Sequence, residues 1–260
     1  MNHGNIPCPW ALRMMNRPWC GWSATLGVVP VVAGMLLLVA VPASRASDDE
    51  AEYRRRRESM VAQQVENRGV FDPDLLEAMR TIPRHLFVPP SERPFAYEDR
   101  ALPLACGQTI SQPYIVALMT ELIDVSASDR VLEVGTGSGY QSAVLGSIVD
   151  EVYTVEIYEE LGQAAHRLLR ELGYTSVYTR VADGYYGWPK HAPFDAIMVT
   201  CAIDHIPPPL LAQLVVGGRM CLPLGHPFMV QRLVLVTKEE EGVKTRDILP
   251  AGFVPMLGGH

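Results

Sequence analysis

The chain has few cysteines, and none of them is arranged as in a zinc site or a disulfide framework. Its 260 residues include 5 cysteines. No two of them form a Cys-x-x-Cys pair, and none clusters with histidine. We therefore predict no metal site, and we expect most of these residues to be small buried side chains. The cysteines are Cys8, Cys20, Cys106, Cys201 and Cys221.

The sequence also lacks an excess of positive charge. It has 22 lysines and arginines against 29 aspartates and glutamates, which gives a net charge of −7. Because binding to phosphate backbones and anionic membranes depends on basic residues, this balance argues against a nucleic-acid partner. The hydrophobic share of 48% is that of an ordinary globular protein, and the length suffices for one domain with its own core.

Long hydrophobic runs are absent except near the start, at residues 19–41. Arginines before this run and small residues after it are typical of a cleaved export signal. The run is also about as long as the ~20 apolar residues that span a bilayer, so it could be an anchor. In a third interpretation, the working protein starts further downstream. We predict a signal-like or anchor segment over 1–46 and a domain over 47–260 that is not embedded in a membrane.

From about residue 50, helix-like and strand-like patterns divide the chain into many short elements. The predicted helices are Arg54–Arg68, Tyr140–Val149, Glu159–Leu172 and Pro209–Val215, with two more starting at Asp72 and Pro113. The predicted strands are Arg130–Val134, Val152–Val155, Val177–Val181, Phe194–Val199, Arg219–Leu222 and Arg232–Thr237. Strands that alternate with helices predict an α/β fold with a mostly parallel, doubly wound sheet and helices on both faces.

A glycine-rich loop follows the first long strand, with the sequence Gly135-Thr136-Gly137-Ser138-Gly139. A dinucleotide-binding loop needs its third glycine one position later, where Tyr140 stands. S-adenosylmethionine has no pyrophosphate but carries a cationic sulfonium, which Glu133 beside the loop would suit. We expect the loop and Glu133 to bind this cofactor, although the glycines alone are also compatible with a plain tight turn. The loop residues predicted to touch it are Gly135, Thr136, Gly137 and Gly139.

Two further acids follow the next two strands. Glu156 stands where an acid can accept hydrogen bonds from ribose hydroxyls, and Asp183-Gly184 stands where a carboxylate and a small residue can meet adenine. Each acid alone could be a solvated loop residue, since most aspartates and glutamates are exposed. Their positions after successive strands favour one cofactor site.

The polar segment Gly107–Pro113 precedes a predicted helix, and its Ser111 could simply cap that helix. However, this segment resembles the signature of the protein-L-isoaspartate O-methyltransferase family. The resemblance extends from about Arg54 to Gly258. It includes Arg84–Val88, Val131–Tyr140, Pro193–Ile197, Gly217–Arg219 and Gly252–Met256.

The resemblance implies a Rossmann-like class I methyltransferase that uses S-adenosylmethionine as methyl donor. It implies methylation of the free carboxylate of L-isoaspartyl, and possibly D-aspartyl, residues in damaged proteins, which starts repair through a succinimide. Ser111 would be the active-site residue, and Gln108, Thr109, Ile110 and Ser111 would adjoin the cofactor. The substrate carboxylate is already ionised at neutral pH, so direct displacement needs no general base. The resemblance further implies a cytoplasmic protein, and we expect a monomer.

Two other functions remain compatible with the sequence. Ala105-Cys106 departs from the usual family pattern before Gly107, so the chain could be a non-catalytic module that binds the cofactor or an isoaspartyl peptide. It could also be a methyltransferase with another substrate. The stretch from Thr200 to His205 likewise departs from the family pattern, and it differs from the element that amino-methylating nucleic-acid enzymes carry after the fourth strand.

Overall fold

The computed structural model describes residues 43–226 and 229–259, with the side chains of residues 43–48 left out. The hydrophobic run at 19–41, interpreted above as a signal or anchor, lies outside the described residues. Among the helices of the described ranges, none combines the length and the apolar character needed to cross a bilayer.

Most helices precede the sheet or alternate with its strands. The α-helices of the described ranges are α1 (Ala43–Met60), α2 (Pro73–Thr81), α3 (Pro113–Ile123), α4 (Tyr140–Gly146), α5 (Glu159–Glu171) and α6 (Pro208–Gln213). A π turn and a 3₁₀ turn continue α1 to Arg68. The sequence therefore placed the end of this first helical segment correctly. Its predicted start at Arg54 was too late, because α1 begins at Ala43 and already includes the residues before Arg54.

The central sheet has seven strands in the order β5-β4-β3-β6-β7-β8-β9. A short hairpin of β1 (Leu102–Pro103) and β2 (Thr109–Ile110) lies before it. The sheet strands are β3 (Arg130–Val134), β4 (Glu151–Glu156), β5 (Val177–Val181), β6 (Phe194–Val199), β7 (Leu214–Leu224), β8 (Gln231–Lys238) and β9 (Val243–Ala251). The first five pair in parallel, and β8 and β9 add antiparallel strands at one edge. The predicted mostly parallel α/β fold is confirmed.

The last part of the chain differs from the sequence prediction. The helix predicted over Pro209–Val215 ends at Gln213, because Leu214 already pairs with Phe194 as the start of the long strand β7. Strand β9 was not predicted. Most of its side chains are exposed or half-buried at the sheet edge, so it lacks the apolar run that marks a central strand.

Alternate residues of each central strand enter two separate hydrophobic cores. Val131 of β3 packs in the core shared with α2, α3 and α4, whereas its neighbour Leu132 packs in the core that contains Leu210 of α6. This alternation follows from the period of two along a strand. It leaves the carboxyl ends of the parallel strands free to build a site.

Candidate active site

The glycine-rich loop begins at the carboxyl end of β3, where the chain order of the sheet reverses between β4 and β6. In open α/β sheets this reversal creates a crevice in which ligands bind. The loop is anchored to the neighbouring strand, because the amides of Gly135 and Thr136 donate to Val155 O at 2.8 and 3.3 Å. The first predicted feature of the site therefore lies at the expected place in the fold.

Thr200, at the end of β6, holds the loop from its other side. Its hydroxyl lies 3.0 Å from Val134 O and 2.8 Å from Gly135 O and donates to them. A Cβ at position 135 would collide with this hydroxyl, and Gly135 has a φ of +99°. Both facts require glycine here. No role was predicted for Thr200, since only the pairing of β6 with β3 brings it to the loop.

Glu156, at the end of β4, faces the same crevice. One carboxylate oxygen accepts from Gly137 N at 2.8 Å and the other from Tyr158 N at 2.9 Å. Burial raises the pKa of Glu156, and these backbone N–H groups oppose that shift by stabilising the charged form. The carboxylate is thus fixed beside the loop and can accept further hydrogen bonds.

A cleft, called here the glycine-loop cleft, lies above the ends of β3, β4 and β6. Six of the residues predicted to bind the cofactor line it, namely Gln108, Thr109, Gly135, Gly137, Glu156 and Gly184. No cofactor role was predicted for its other lining residues, which are Val134, Val155, Ile157, Tyr158, Thr200, Cys201, Val254, Pro255, Met256 and Leu257. The cleft therefore combines backbone amides and a carboxylate with apolar walls, which suits a nucleoside.

The C-terminal segment reaches the cleft through tertiary pairing alone. The amide of Ala202 donates to Val254 O at 2.7 Å, and the amide of Met256 donates to Ala202 O at 2.8 Å. Residues 254–257 thereby form one wall of the cleft. Local sequence carries no signal for this role, because nothing in a short apolar segment indicates which strand end it will cover.

Glu133 does not line the glycine-loop cleft. Its side chain is fully buried beneath the loop. One oxygen accepts a hydrogen bond from the Ser142 hydroxyl of α4, and Oε1 has no hydrogen-bond partner among the described residues. Burial raises the pKa of Glu133 from 4.5 to about 7, against the opposing effect of the Ser142 hydroxyl. The geometry therefore favours support of the loop and α4 over direct contact with a ligand.

Gly139 and Asp183 also lie outside the cleft lining. Gly139 has a φ of +85°, and a Cβ there would press on Leu169 at 3.3 Å, so it serves the packing of α4 against α5. The Asp183 carboxylate accepts from Tyr185 N at 3.0 Å and from Gly259 N at 3.1 Å. Its neighbour Gly184 does line the cleft, so Asp183 stands at the rim.

A second cavity of about 270 Å³ adjoins the glycine-loop cleft and contains Ser111. We call it the serine cavity. Thr109, Thr200 and Val254 line both spaces, so the two are neighbours. A smaller pocket is lined by Ser111 together with Gly135 and other loop residues, which brings the serine to the glycine loop. The predicted residues Ile110 and Thr136 also line that pocket.

This parallel sheet, with its glycine loop and an acid at the end of the neighbouring strand, defines a class I S-adenosylmethionine-dependent methyltransferase. The sequence model of the protein-L-isoaspartate(D-aspartate) O-methyltransferase family matches residues 55–260. The chain belongs to this family, and the resemblance stated from its motifs is confirmed.

Curated relatives are similar over most of the chain. A protein-L-isoaspartate O-methyltransferase 2 of Shewanella sediminis is 56% identical over 221 residues, which cover 85% of this chain and 89% of that protein. A protein-L-isoaspartate O-methyltransferase 1 of Cupriavidus necator is 46% identical over 269 residues, and the match covers 100% of both chains.

Solved structures share the fold. A protein-L-isoaspartate O-methyltransferase superposes with a TM-score of 0.69 at 29% identity, covering 79% of this chain and 66% of that one, so this chain spans about two thirds of its length. A putative enzyme of the same name from Plasmodium falciparum, solved with S-adenosyl-L-homocysteine, has a TM-score of 0.67 at 22% identity. That match covers 77% of this chain and 98% of the other.

The buried carboxyl of Glu133 predicts a pH-dependent stability. The native state keeps a proton that the unfolded state releases, so Glu133 lowers the free energy of unfolding progressively between pH 4.5 and about 7. At 1.36 kcal/mol for each pH unit, the full penalty above that range is on the order of 3 kcal/mol. We expect Glu133→Gln to raise the melting temperature at pH 8 by more than at pH 5. Thermal unfolding of both proteins at the two pH values measures this difference.

Equal effects of Glu133→Gln at pH 5 and pH 8 would contradict a raised pKa for Glu133. Glu151→Gln is the control, because Glu151 is a half-exposed carboxylate on the neighbouring strand β4 that pairs with Arg130 at 2.6 Å.

Proposed function

We propose that the chain transfers a methyl group from S-adenosylmethionine to the free carboxylate of L-isoaspartyl, and possibly D-aspartyl, residues of damaged proteins. One observation carries this proposal. The glycine-loop cleft adjoins the serine cavity, and Thr109, Thr200 and Val254 line both. A methyl donor in the first space and a carboxylate in the second would thus meet beside these three residues. The names of the relatives point to the same reaction.

The cleft offers each part of the methyl donor a suitable surface. The glycine loop lets a ligand approach the backbone closely, and the Glu156 carboxylate can accept hydrogen bonds from ribose hydroxyls. Gly184 and Asp183 at the rim suit the adenine edge, and the apolar walls suit its ring. S-adenosylmethionine supplies a methyl group on a sulfonium. A substrate carboxylate oxygen would bond to this methyl as the carbon–sulfur bond breaks and S-adenosylhomocysteine leaves, and no general base is needed.

Ser111 acts on the substrate side of this site. Its hydroxyl can donate to the isoaspartyl carboxylate and hold it toward the glycine-loop cleft. Such orientation and exclusion of water are the main sources of rate enhancement for a reaction that needs no proton transfer. Gln108, Thr109 and Ile110 precede Ser111 and carry the chain from the cleft into the serine cavity.

The remaining predicted properties extend this proposal. The methyl ester would cyclise to a succinimide, and its hydrolysis would return part of the residue to normal aspartate. The macromolecular partners would be proteins and peptides that contain isoaspartyl residues. The net negative charge of the chain argues against a nucleic-acid partner. A monomeric state stays a prediction.

A methyl-transfer assay tests the proposed activity. We expect an isoaspartyl peptide to be labelled from radiolabelled S-adenosylmethionine while its aspartyl twin is not. Ser111→Ala should lower kcat/KM for the isoaspartyl peptide by about 10- to 100-fold, the loss of one hydrogen bond to a charged group. Binding of the methyl donor should persist.

Ser147→Ala serves as the control, since Ser147 is an exposed serine whose hydroxyl donates to Ala143 O at 2.9 Å. Equal labelling of both peptides would contradict the proposed substrate. Binding of the methyl donor without labelling of either peptide would indicate a binding module.

A second test addresses the cofactor role of Glu156. In Glu156→Gln one oxygen becomes an amide NH₂ group that faces a backbone N–H donor, and the charged acceptor for ribose is lost. We expect the Kd for S-adenosylmethionine to rise about tenfold or more, since hydrogen bonds to charged groups contribute about 1.5–3 kcal/mol. Isothermal titration calorimetry measures it. Glu151→Gln, at the opposite end of β4, should leave the Kd within about twofold; equal values for both variants would contradict the assignment.

We further propose a cytoplasmic location and a division into a signal-like or anchor segment over 1–46 and a methyltransferase domain over 47–260. The methyl donor is made inside cells, which supports the cytoplasm, whereas the hydrophobic run supports export. Mass spectrometry of the mature N-terminus from fractionated cells tests both proposals. We expect the protein in the cytoplasmic fraction. A protein that starts at Ser47 in an external fraction would contradict the location and support a cleaved signal.

A further inference from the structure

Arg84 is a fully buried cation that takes no direct part in the methyl transfer proposed above. It begins a 3₁₀ turn, Arg84–Phe87, in the motif that resembles the family signature, and its side chain is 0% exposed. Taking a charged side chain out of water costs several kcal/mol unless it is paired. No carboxylate of the described residues forms an ion pair with Arg84.

The contacts of Arg84 link three segments that build the site. Its Nε donates to Ala96 O at 2.8 Å, and its Nη2 donates to Ser111 O at 2.6 Å. Its guanidinium carbon lies 4.7 Å from the ring centroid of Tyr140, the first residue of α4 after the glycine loop. A planar guanidinium can donate in two directions within its own plane while its face lies on an aromatic ring.

Arg84 therefore holds the backbone carbonyl of Ser111, and Ser111 at the same time lines the serine cavity. Ser111 precedes α3, whose own backbone hydrogen bonds begin with Gln112 O as acceptor. No intrahelical bond thus fixes Ser111, and the guanidinium supplies the restraint. Tyr140 places the same cation against the start of α4, so Arg84 sets the serine segment relative to the glycine loop.

The unpaired positive charge of Arg84 also favours an anionic substrate near Ser111. The Nη1 atom of Arg84 has no hydrogen-bond partner in the described part of the structure. Burial lowers the pKa of Arg84 and the nearby Tyr140 phenol group opposes this, yet a guanidinium remains protonated in proteins. A positive charge in surroundings of low dielectric attracts an anion more strongly than it would in water. A carboxylate that enters the serine cavity would experience this attraction.

We propose that Arg84 is a positioning residue for methyl transfer, whose guanidinium fixes Ser111 against the glycine loop and favours an anionic substrate at that serine. This role rests on the proposed function. It predicts that Arg84 affects the use of the isoaspartyl peptide more than the binding of the methyl donor, whose cleft Arg84 does not line.

Arg57 provides a matched control. It is also a buried arginine, with 5% exposure, and donates to Arg80 O at 2.6 Å and to Tyr97 Oη at 3.3 Å. It does not contact Ser111 or the glycine loop through any described hydrogen bond. Arg57→Met and Arg84→Met therefore each remove one buried cation together with the hydrogen bonds that it donates. Only Arg84→Met affects the serine segment.

The test compares full-length wild type with Arg84→Met, Arg84→Lys and Arg57→Met. For Arg84→Met we expect kcat/KM with an isoaspartyl peptide to fall about 30-fold or more, while the Kd for S-adenosylmethionine stays within about threefold. Arg84→Lys keeps the charge without the planar fork and should recover only part of this loss. Arg57→Met should lower the melting temperature but leave kcat/KM within about threefold.

Hydrogen exchange gives a readout that is independent of turnover. We expect the amides of residues 109–112 to exchange about tenfold faster in Arg84→Met than in wild type, with no such change in Arg57→Met. If Arg84→Met does not fold, Arg84→Lys, which keeps the charge, is used for both measurements.

Three results would overturn the role of Arg84: unchanged exchange at 109–112, equal activity losses in the Arg84 and Arg57 variants, or full recovery by Arg84→Lys. Failure of wild type to methylate the peptide would instead refute the proposed function, and the exchange data would still decide the role of Arg84.

Discussion

The site depends on how the two strands beside β3 clamp the glycine loop. From β4, Val155 O accepts the loop's first amides and Glu156 accepts the amide of Gly137. From β6, Thr200 donates to the backbone of Val134 and Gly135. A loop rich in glycine would otherwise lose much conformational entropy on ordering. The clamp fixes the loop backbone before a ligand binds. Ligand binding therefore does not have to order the loop, and this entropy cost does not reduce the affinity.

The positions of Glu156 and Glu133 relative to this clamp explain why their surroundings differ. Glu156 lies at the strand end and faces the cleft with both oxygens held by backbone amides. Glu133 lies within β3, and the alternation of the strand turns its side chain beneath the loop toward Ser142. The two acids, both predicted to bind the cofactor, thus have different environments. Burial raises the pKa of both, but only Glu156 lines the glycine-loop cleft.

The serine segment completes the site from outside the sheet. Ser111 lies just before α3, and its carbonyl is held by Arg84 from a turn 27 residues earlier in the chain. The C-terminal residues 254–257 close the cleft from the other end of the sequence, by pairing with Ala202. The site is therefore assembled from the N-terminal, central and C-terminal parts of one domain.

The sequence by itself determined the α/β class, the strands β3 to β6, the glycine loop and the family. These depend on local periodicity, on glycine where the backbone needs it, and on motifs that are contiguous in the chain. Only the tertiary structure decided that Thr200 and residues 254–257 join the cleft, that Glu133 lies beneath the loop, and that Arg84 holds Ser111. Each of these facts depends on strand pairing or burial between residues far apart in the chain, and no local pattern encodes such contacts.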